Sequence, residues 1–323
     1  GAGGGTAGGA GGGTAGGAGG GSAGPLAPRL VVANGGGGFS VRIWTNANTI
    51  VADGAAPVTL GGIASNPTTL LASKTALYVL ANANTGASNN GIHRWDGPQT
   101  IANAMMPTAA IPPTVIPTFA AGKAQLDPAE NLWWTDSPGR VRFIADAGMA
   151  TATTSATALF RHPFDQVFGF AYEPVGHRLF GGQVSGAGIL VWNNADAKTG
   201  DAGTHDFVLS NDSVQQMQVS GDRLFTAFFT QNVKIWNGIS TVTAPKPFDV
   251  TFTIDAGNGG QSASIRDLHV DHGTLVMAVQ RGTAGVVLLY KNAPTVTATS
   301  QPDVVITDAA LAGIKKAVLG ADG

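Results

Sequence analysis

Cysteine is absent from the 323-residue sequence, and charged residues make up only 12% of it. Without cysteine the chain has no disulfides, no thiolate metal ligands and no cysteine nucleophile. Lysine and arginine number 18 against 20 aspartates and glutamates, so no basic excess is present to neutralise a phosphate backbone. No apolar run approaches the roughly 18 to 20 residues of a membrane span. We therefore expect neither a nucleic-acid partner nor a transmembrane segment.

The polar residues are mostly Thr, Ser, Asn, Gln and Gly, and glutamate occurs only at Glu130 and Glu173. This composition is typical of secreted proteins and predicts an extracellular or cell-surface localisation. The sequence begins at Gly1 and not at methionine. We expect that an N-terminal segment has been removed, and a signal peptide or a lipid anchor is compatible with such a segment.

Residues 1–24 are three copies of one octapeptide, GAGGGTAG, GAGGGTAG and GAGGGSAG. The segment has almost no apolar surface to bury and a large backbone entropy to lose, which favours a flexible tether. The alternative is an ordered assembly segment that packs against a partner or a neighbouring copy. Collagen is excluded because glycine does not recur at every third position. The sequence thus divides into a Gly-rich repeat, 1–24, and a second domain, 25–323.

The second domain contains six copies of one sequence pattern. In each copy a predicted strand that begins with leucine is followed by a predicted strand that ends in a large apolar residue. The opening leucines are Leu30, Leu77, Leu132, Leu179, Leu224 and Leu275, and the closing residues are Trp44, Trp95, Ile144, Trp192, Trp236 and Tyr290. A recurrence of roughly 45 to 55 residues built from short strands is typical of a β-propeller. The four recurrent tryptophans should pack between sheets, and adjacent Trp133 and Trp134 should face opposite sides of their strand.

The two ends of the domain predict how the ring closes. The first opening strand, at Leu30, has no inner strand before it, whereas residues 314–323 have the inner-strand pattern and stop at the turn. Pairing of this C-terminal inner strand with the N-terminal strands closes an all-β, six-bladed propeller. The second blade is the weakest, because Pro112 and Pro113 are tolerated only at a sheet edge.

The stretch VWNNADAKTGDAGTHDFVL, residues 191–209, resembles the blades of NHL-like propellers of secreted bacterial proteins, and residues 233–237 and 288–294 echo it. The Gly-rich repeat is similar to the spacer that follows the lipidated cysteine of myxobacterial surface lipoproteins, although that cysteine is absent here. The resemblance implies a mostly non-catalytic interaction module, and it carries over no functional residue.

Few residues suggest chemistry. Six-bladed lactonases hold calcium with a glutamate at the channel mouth, but Glu130 and Glu173 fall in predicted turns beside opening leucines. Residues 194–201 resemble a calcium loop, but lysine stands at a ligand position. His269, Asp271 and His272 form an H-x-D-H cluster, which could bind zinc only if a further ligand came from elsewhere in the chain. We therefore predict no catalytic residue, no metal and no cofactor.

The axial channel, where inner strands converge, is the remaining place for a ligand site. Its candidate ligand-binding residues are mixed polar side chains, which also suit a merely solvated lining: Asn66, Lys123, Gln166, Gln215, Gln216, Arg266, Asp267, Lys315 and Lys316.

The expected function is that of a non-enzymatic extracellular binding or structural module, whose partner is another protein or further copies of itself, engaged through the Gly-rich repeat. The alternative is a calcium-dependent lactonase-like or gluconolactonase-like hydrolase with its site at the channel.

Overall fold

The computed structural model describes residues 29–35, 39–47, 50, 58–63, 66–82, 91–111, 124–127, 129–136, 140–151, 153–154, 157–161, 169–183, 188–198, 204–254, 263–271 and 273–320. Within them, antiparallel strands form six four-stranded sheets arranged as the blades of a six-bladed propeller. The Gly-rich repeat lies outside the described residues, so both interpretations of it stay predictions.

Blades I to III come from the N-terminal half, and blade I takes its innermost strand from the C-terminus. Blade I has β1 (Arg29–Asn34), β2 (Ser40–Trp44) and β3 (Val58–Thr59), with β24 (Ile314–Gly320) innermost; blade II has β4 (Asn66–Ala72), β5 (Ala76–Asn82), β6 (Gly91–Asp96) and β7 (Ala109–Ile111); blade III has β8 (Ala124–Leu126), β9 (Leu132–Asp136), β10 (Arg140–Ile144) and β11 (Thr157–Arg161).

Blades IV to VI follow in strict chain order. Blade IV has β12 (Gly169–Glu173), β13 (Arg178–Gly182), β14 (Ile189–Trp192) and β15 (Phe207–Ser210); blade V has β16 (Gln216–Ser220), β17 (Arg223–Ala227), β18 (Asn232–Asn237) and β19 (Val250–Thr253); blade VI has β20 (Ala263–Asp271), β21 (Thr274–Arg281), β22 (Ala284–Tyr290) and β23 (Val304–Thr307). Short 3-10 turns lie at Pro98–Thr100, Ala147–Met149, Ala195–Ala197, Ala293–Thr295 and Ala309–Leu311.

The predicted closure is confirmed. The last strand, β24, pairs antiparallel with β1, so that Leu319 lies opposite Leu30 and Val318 opposite Val31. The inner strands β24, β4, β8, β12, β16 and β20 follow one another around the axis and return to β24. Both ends of the described chain are therefore held in one sheet, in which β24 supplies the innermost strand of blade I.

Six apolar cores hold the ring together, one between each pair of neighbouring blades. The closing residue of each blade packs towards the preceding blade, as Trp236 of blade V does against blade IV. The four recurrent tryptophans are buried between sheets as predicted. Trp134 belongs to the core between blades II and III, and Trp133 to the one between III and IV, which confirms their opposite orientation.

In three blades an aspartate lies just before the outermost strand and makes the same hydrogen bond. Its carboxylate accepts a hydrogen bond from the backbone N–H just after the closing residue of the neighbouring strand, which satisfies a donor where the ladder ends. The bond recurs in three blades at 2.7 Å, from Asn193 N to Asp206, from Asn237 N to Asp249 and from Lys291 N to Asp303. In blade II, Thr108 takes this role, accepting from Asp96 N, and β7 ends just before Pro112.

Candidate functional site

The axial channel gathers some of the predicted residues. Its narrow cavity is lined by Gln216, Asp267 and Lys316 from three inner strands, by Thr69 from a fourth, and by Gln218 and His269. Lys316 Nζ lies 3.0 Å from Asp267 Oδ1, and each of these side chains is about nine-tenths buried. Each ion therefore neutralises the other where solvent is scarce.

Other predicted residues lie elsewhere. Lys123 and Gln166 fall outside the described residues. Lys315 is exposed and, with Asn66, converges on Gly35 at the end of the channel where the inner strands begin. Gln215 precedes β16.

The prediction that Arg266 lines the channel is wrong, because the side chains of β20 do not alternate regularly at this point. The pairing of β20 with β21 shifts between Ile265 and Asp267, which makes Arg266 the extra residue of a bulge. Its guanidinium lies over the ring of Phe229, 5.5 Å from the ring centroid, and is absent from the cavity lining. The channel therefore presents Asp267 and not Arg266.

A wider cavity, of about 600 Å³, opens where the inner strands end and turn into the second strands of their blades, an end that we call the turn face. Five blades contribute to it, and its charged and titratable residues include Lys74, Glu130, Glu173, His269 and Asp271. This mixture of groups around one mouth suits a polar or peptide-like ligand.

Both glutamates of the chain border this mouth, but their carboxylates are used by the fold. Glu173 is fully buried at the end of β12 and accepts hydrogen bonds from Val175 N and Gly176 N, at 2.7 and 2.6 Å. Glu130 accepts a bond of 2.7 Å from Thr75 Oγ1 of the preceding blade. The described residues contain no group of three or more His, Cys, Asp or Glu that could hold a metal ion.

Beside the mouth, a cleft of about 370 Å³ lies between blades III and IV. Its walls are aromatic. The ring of Trp133 stacks on Tyr172 with centroids 4.3 Å apart, and Phe143 meets Trp133 edge-on at 4.8 Å. The remaining lining residues are mostly polar: Asp127, Ala129, Asn131, Pro174, His177 and Asp196. This cleft was not foreseen from the sequence.

Two carboxylates give the cleft its charge. Asp127 accepts four bonds from neutral donors: the backbone N–H groups of Ala129 and Asn131, the Asn131 amide and the Trp133 indole, at 2.9 to 3.1 Å. Asp196 Oδ2 lies 2.8 Å from His177 Nδ1, which is also 3.3 Å from the Tyr172 hydroxyl.

The Tyr172 hydroxyl stays protonated at neutral pH. Burial, together with the carboxylates of Asp196, Asp127 and Glu173, raises the pKa of Tyr172 above its ordinary range. The hydroxyl is therefore a neutral hydrogen-bonding group at the cleft wall, and it does not offset the negative charge of the carboxylates.

Comparisons with known proteins support the fold. No protein-family model matches the chain, and no curated protein matches it. A chain in the crystal structure of a nidogen/laminin complex superposes with a TM-score of 0.56 at 12% identity, covering 91% of this chain and 98% of that one. A Lactobacillus plantarum protein gives a TM-score of 0.46 at 15% identity, covering 81% of this chain and 78% of that one. At 12% identity the likeness to the chain of the nidogen/laminin complex shows the fold alone. The described residues also contain no helix long and apolar enough to cross a bilayer.

Proposed function

We propose that this propeller is a non-enzymatic, extracellular module for binding or assembly, presented on a surface or joined to other copies through the Gly-rich repeat. The observation that carries the proposal is the turn-face cavity of about 600 Å³, to which five blades contribute. Its size and mixed lining suit recognition of another polypeptide.

The use made of the charged groups around this cavity also favours binding over catalysis. Glu173 caps two backbone N–H groups and Glu130 joins two blades, while in the neighbouring channel Lys316 pairs with Asp267. A group committed to such bonds is poorly placed to transfer a proton in a reaction, because it would have to give up stabilising partners.

The chain also enters the propeller at the turn face. The first described residue, Arg29, lies opposite Gly320, at the end of the innermost strand of blade I. The Gly-rich repeat, 1–24, precedes Arg29 by four residues in the sequence. The segment that carries the repeat is therefore joined to the propeller on the side where the turn-face cavity opens.

Electron microscopy of the full chain beside a copy lacking residues 1–24 tests the role of the repeat. Filaments or lattices that need the repeat would make this a structural subunit, since head-to-tail contacts propagate when the rotation does not close. Single propellers in both samples would assign the repeat to tethering and recognition to the turn face. Assembly that persists without residues 1–24 would contradict a role of the repeat in assembly.

Thermal unfolding with and without millimolar calcium tests the enzymatic alternative. A ligand at about 100 times its Kd stabilises a protein by about 2.7 kcal/mol. We expect no calcium-dependent shift of Tm. A clear upward shift, accompanied by hydrolysis of a lactone, would overturn the non-enzymatic proposal.

A further inference from the structure

Three of the inter-blade interfaces are bridged by an arginine that reaches the next blade. Arg29 of blade I donates to the carbonyl oxygens of Gln99 and Ile101 in blade II. Arg223 of blade V donates to Ala293 O of blade VI at 2.6 Å, and its guanidinium lies over the ring of Phe225, 5.2 Å from the centroid. In each case the acceptors lie in or beside a 3-10 turn.

The third arginine comes from a different strand but has the same kind of target. Arg94 of blade II donates to Ala147 O and Ala150 O of blade III, at 3.3 and 2.8 Å. These carbonyls again belong to a 3-10 turn and the residue after it. A guanidinium on the next blade's 3-10 turn is thus a repeated feature of this ring.

Among the described residues, no arginine makes such a bond across the interface between blades III and IV. The residue before the opening leucine is Arg29 in blade I and Arg223 in blade V, but Asn131 in blade III. The short side chain of Asn131 turns back to its own blade, where its amide donates to Asp127 at 2.9 Å.

The space that the arginine would occupy is the cleft already described. Strand registers match its residues to those of a small cavity between blades I and II, pairing Asn131 with Arg29, Trp133 with Val31, Phe143 with Ile43, Tyr172 with Ala72 and Asp127 with Gly320. The volume is about 370 Å³ at the first site and about 10 Å³ at the second. The cleft between blades III and IV has the larger side chain at four of these five positions and is nevertheless the open site, since Asn131 stands where the other site has Arg29.

The open site carries what a guanidinium needs. Asp127 and Asp196 supply negative charge, while Trp133, Phe143 and Tyr172 form an aromatic wall. The carbonyl oxygen of Ala195 corresponds in position to that of Ala293, the acceptor of Arg223, and accepts only a long bond of 3.3 Å from Lys198 N among the described backbone pairs. Guanidinium groups combine stacking on aromatic faces with hydrogen bonds to carboxylates and carbonyls, which ammonium groups do less well.

We propose that the cleft between blades III and IV binds an arginine side chain of a partner polypeptide, in the place that Arg29 and Arg223 take within the chain. This inference rests on the proposed binding function and names the chemistry of its partner. The partner's arginine completes the interface that the chain itself leaves without one.

The full chain labelled with 5-fluorotryptophan provides the test. The sequence has six tryptophans, and the resonance of Trp133 is assigned with Trp133→Phe. N-acetyl-arginine amide should shift this resonance saturably, with a dissociation constant on the order of 1 mM for so small a ligand. The citrulline analogue, which has the shape without the charge, should bind at least about tenfold more weakly.

Two variants make the test specific. Asn131→Arg should fill the cleft from within, raise Tm and abolish the response to the arginine probe, whereas Asn131→Gln should keep that response. Asp196→Asn should weaken binding severalfold with little change in Tm. Retained binding in Asn131→Arg would overturn the proposal, as would equal binding of the citrulline analogue or no shift of the Trp133 resonance.

The remaining outcomes separate this inference from the proposed function. A Trp133 resonance that moves with protein concentration alone would assign the cleft to a second copy of the chain and overturn the partner proposal. If the arginine probe fails while microscopy still shows assembly through the Gly-rich repeat, the inference falls and the proposed function stands.

Discussion

The axial channel and the cleft between blades III and IV are both cavities lined by charged residues, but these residues have different partners in the two cavities. In the channel, Lys316 and Asp267 neutralise each other. In the cleft, Asp127 accepts bonds from neutral donors, and Asp196 lies beside the exposed His177. The channel is thus closed by the chain itself, whereas the cleft offers unneutralised charge beside an apolar wall. A symmetric architecture has produced one site for stability and one suited to a ligand.

Breaking the channel pair should give the largest effect. Lys316→Met leaves Asp267 buried without its cation, which we expect to lower the free energy of unfolding by about 3–5 kcal/mol. Adding Asp267→Asn should recover much of this loss. In the cleft, Asp196→Asn should cost no more than about 1 kcal/mol, because its side chain is partly exposed. Denaturant unfolding of the three variants measures these differences, and equal losses in channel and cleft would contradict the comparison.

Removing a bridging arginine should have an intermediate effect. Arg223→Ala loses the bond to Ala293 O and the contact with Phe225, and we expect a loss of about 1.5–3 kcal/mol. The matched variant Asn131→Ala acts within one blade and should cost about 0.5–1.5 kcal/mol. Urea unfolding midpoints check this order. A cost for Arg223→Ala no larger than that for Asn131→Ala would contradict the stabilising role assigned to the bond between blades V and VI.

Acid should produce the smallest effect. Desolvation opposes ionisation of Asp212, but hydrogen bonds from Lys234 and Ser210 outweigh it and hold the pKa of this carboxyl below its usual 3.8. Desolvation is likewise outweighed at Asp249, whose pKa is lowered by hydrogen bonds from Asn237 N and from Lys246. A lowered pKa in the folded state means that both carboxylates stabilise the protein above about pH 4.

This contribution should fade as the pH falls from about 4 towards the lowered pKa values of the folded protein. Asp212→Asn should therefore reduce the loss of unfolding free energy between pH 5 and pH 3, by less than about 1 kcal/mol because the pair is only partly buried. Parallel thermal scans of the variant and the original chain measure it. An unchanged slope would show that Asp212 contributes nothing to acid sensitivity.

The repeated two-strand sequence pattern was sufficient to predict the fold. Each opening leucine and closing residue occupies the same register position in every blade, so period, blade number and closure followed from the pattern. Local exceptions were harder to foresee. Arg266 does not line the channel because it is the extra residue of a bulge in β20. The bulge depends on the pairing of β20 with β21, and no sequence pattern predicts it.

The cleft was missed for a different physical reason. The cleft is lined by strand and turn residues of two blades, and it is open because Asn131 occupies the position that Arg29 and Arg223 have in their blades. A partial signal was present in the sequence. Arg29, Arg178 and Arg223 precede three of the opening leucines, whereas Ala76, Asn131 and Thr274 precede the other three. Only the hydrogen bonds of Arg29 and Arg223 to the next blade reveal what that substitution leaves open.

A crystal structure of the Asn131→Arg variant tests the central claim most directly. We predict that the introduced guanidinium crosses to blade IV, lies against Trp133 and donates to the carbonyl oxygen of Ala195 or Lys198, so that the cleft closes. A side chain that extends into solvent above an open cleft would contradict the account, because the space would then not be an unfilled arginine site.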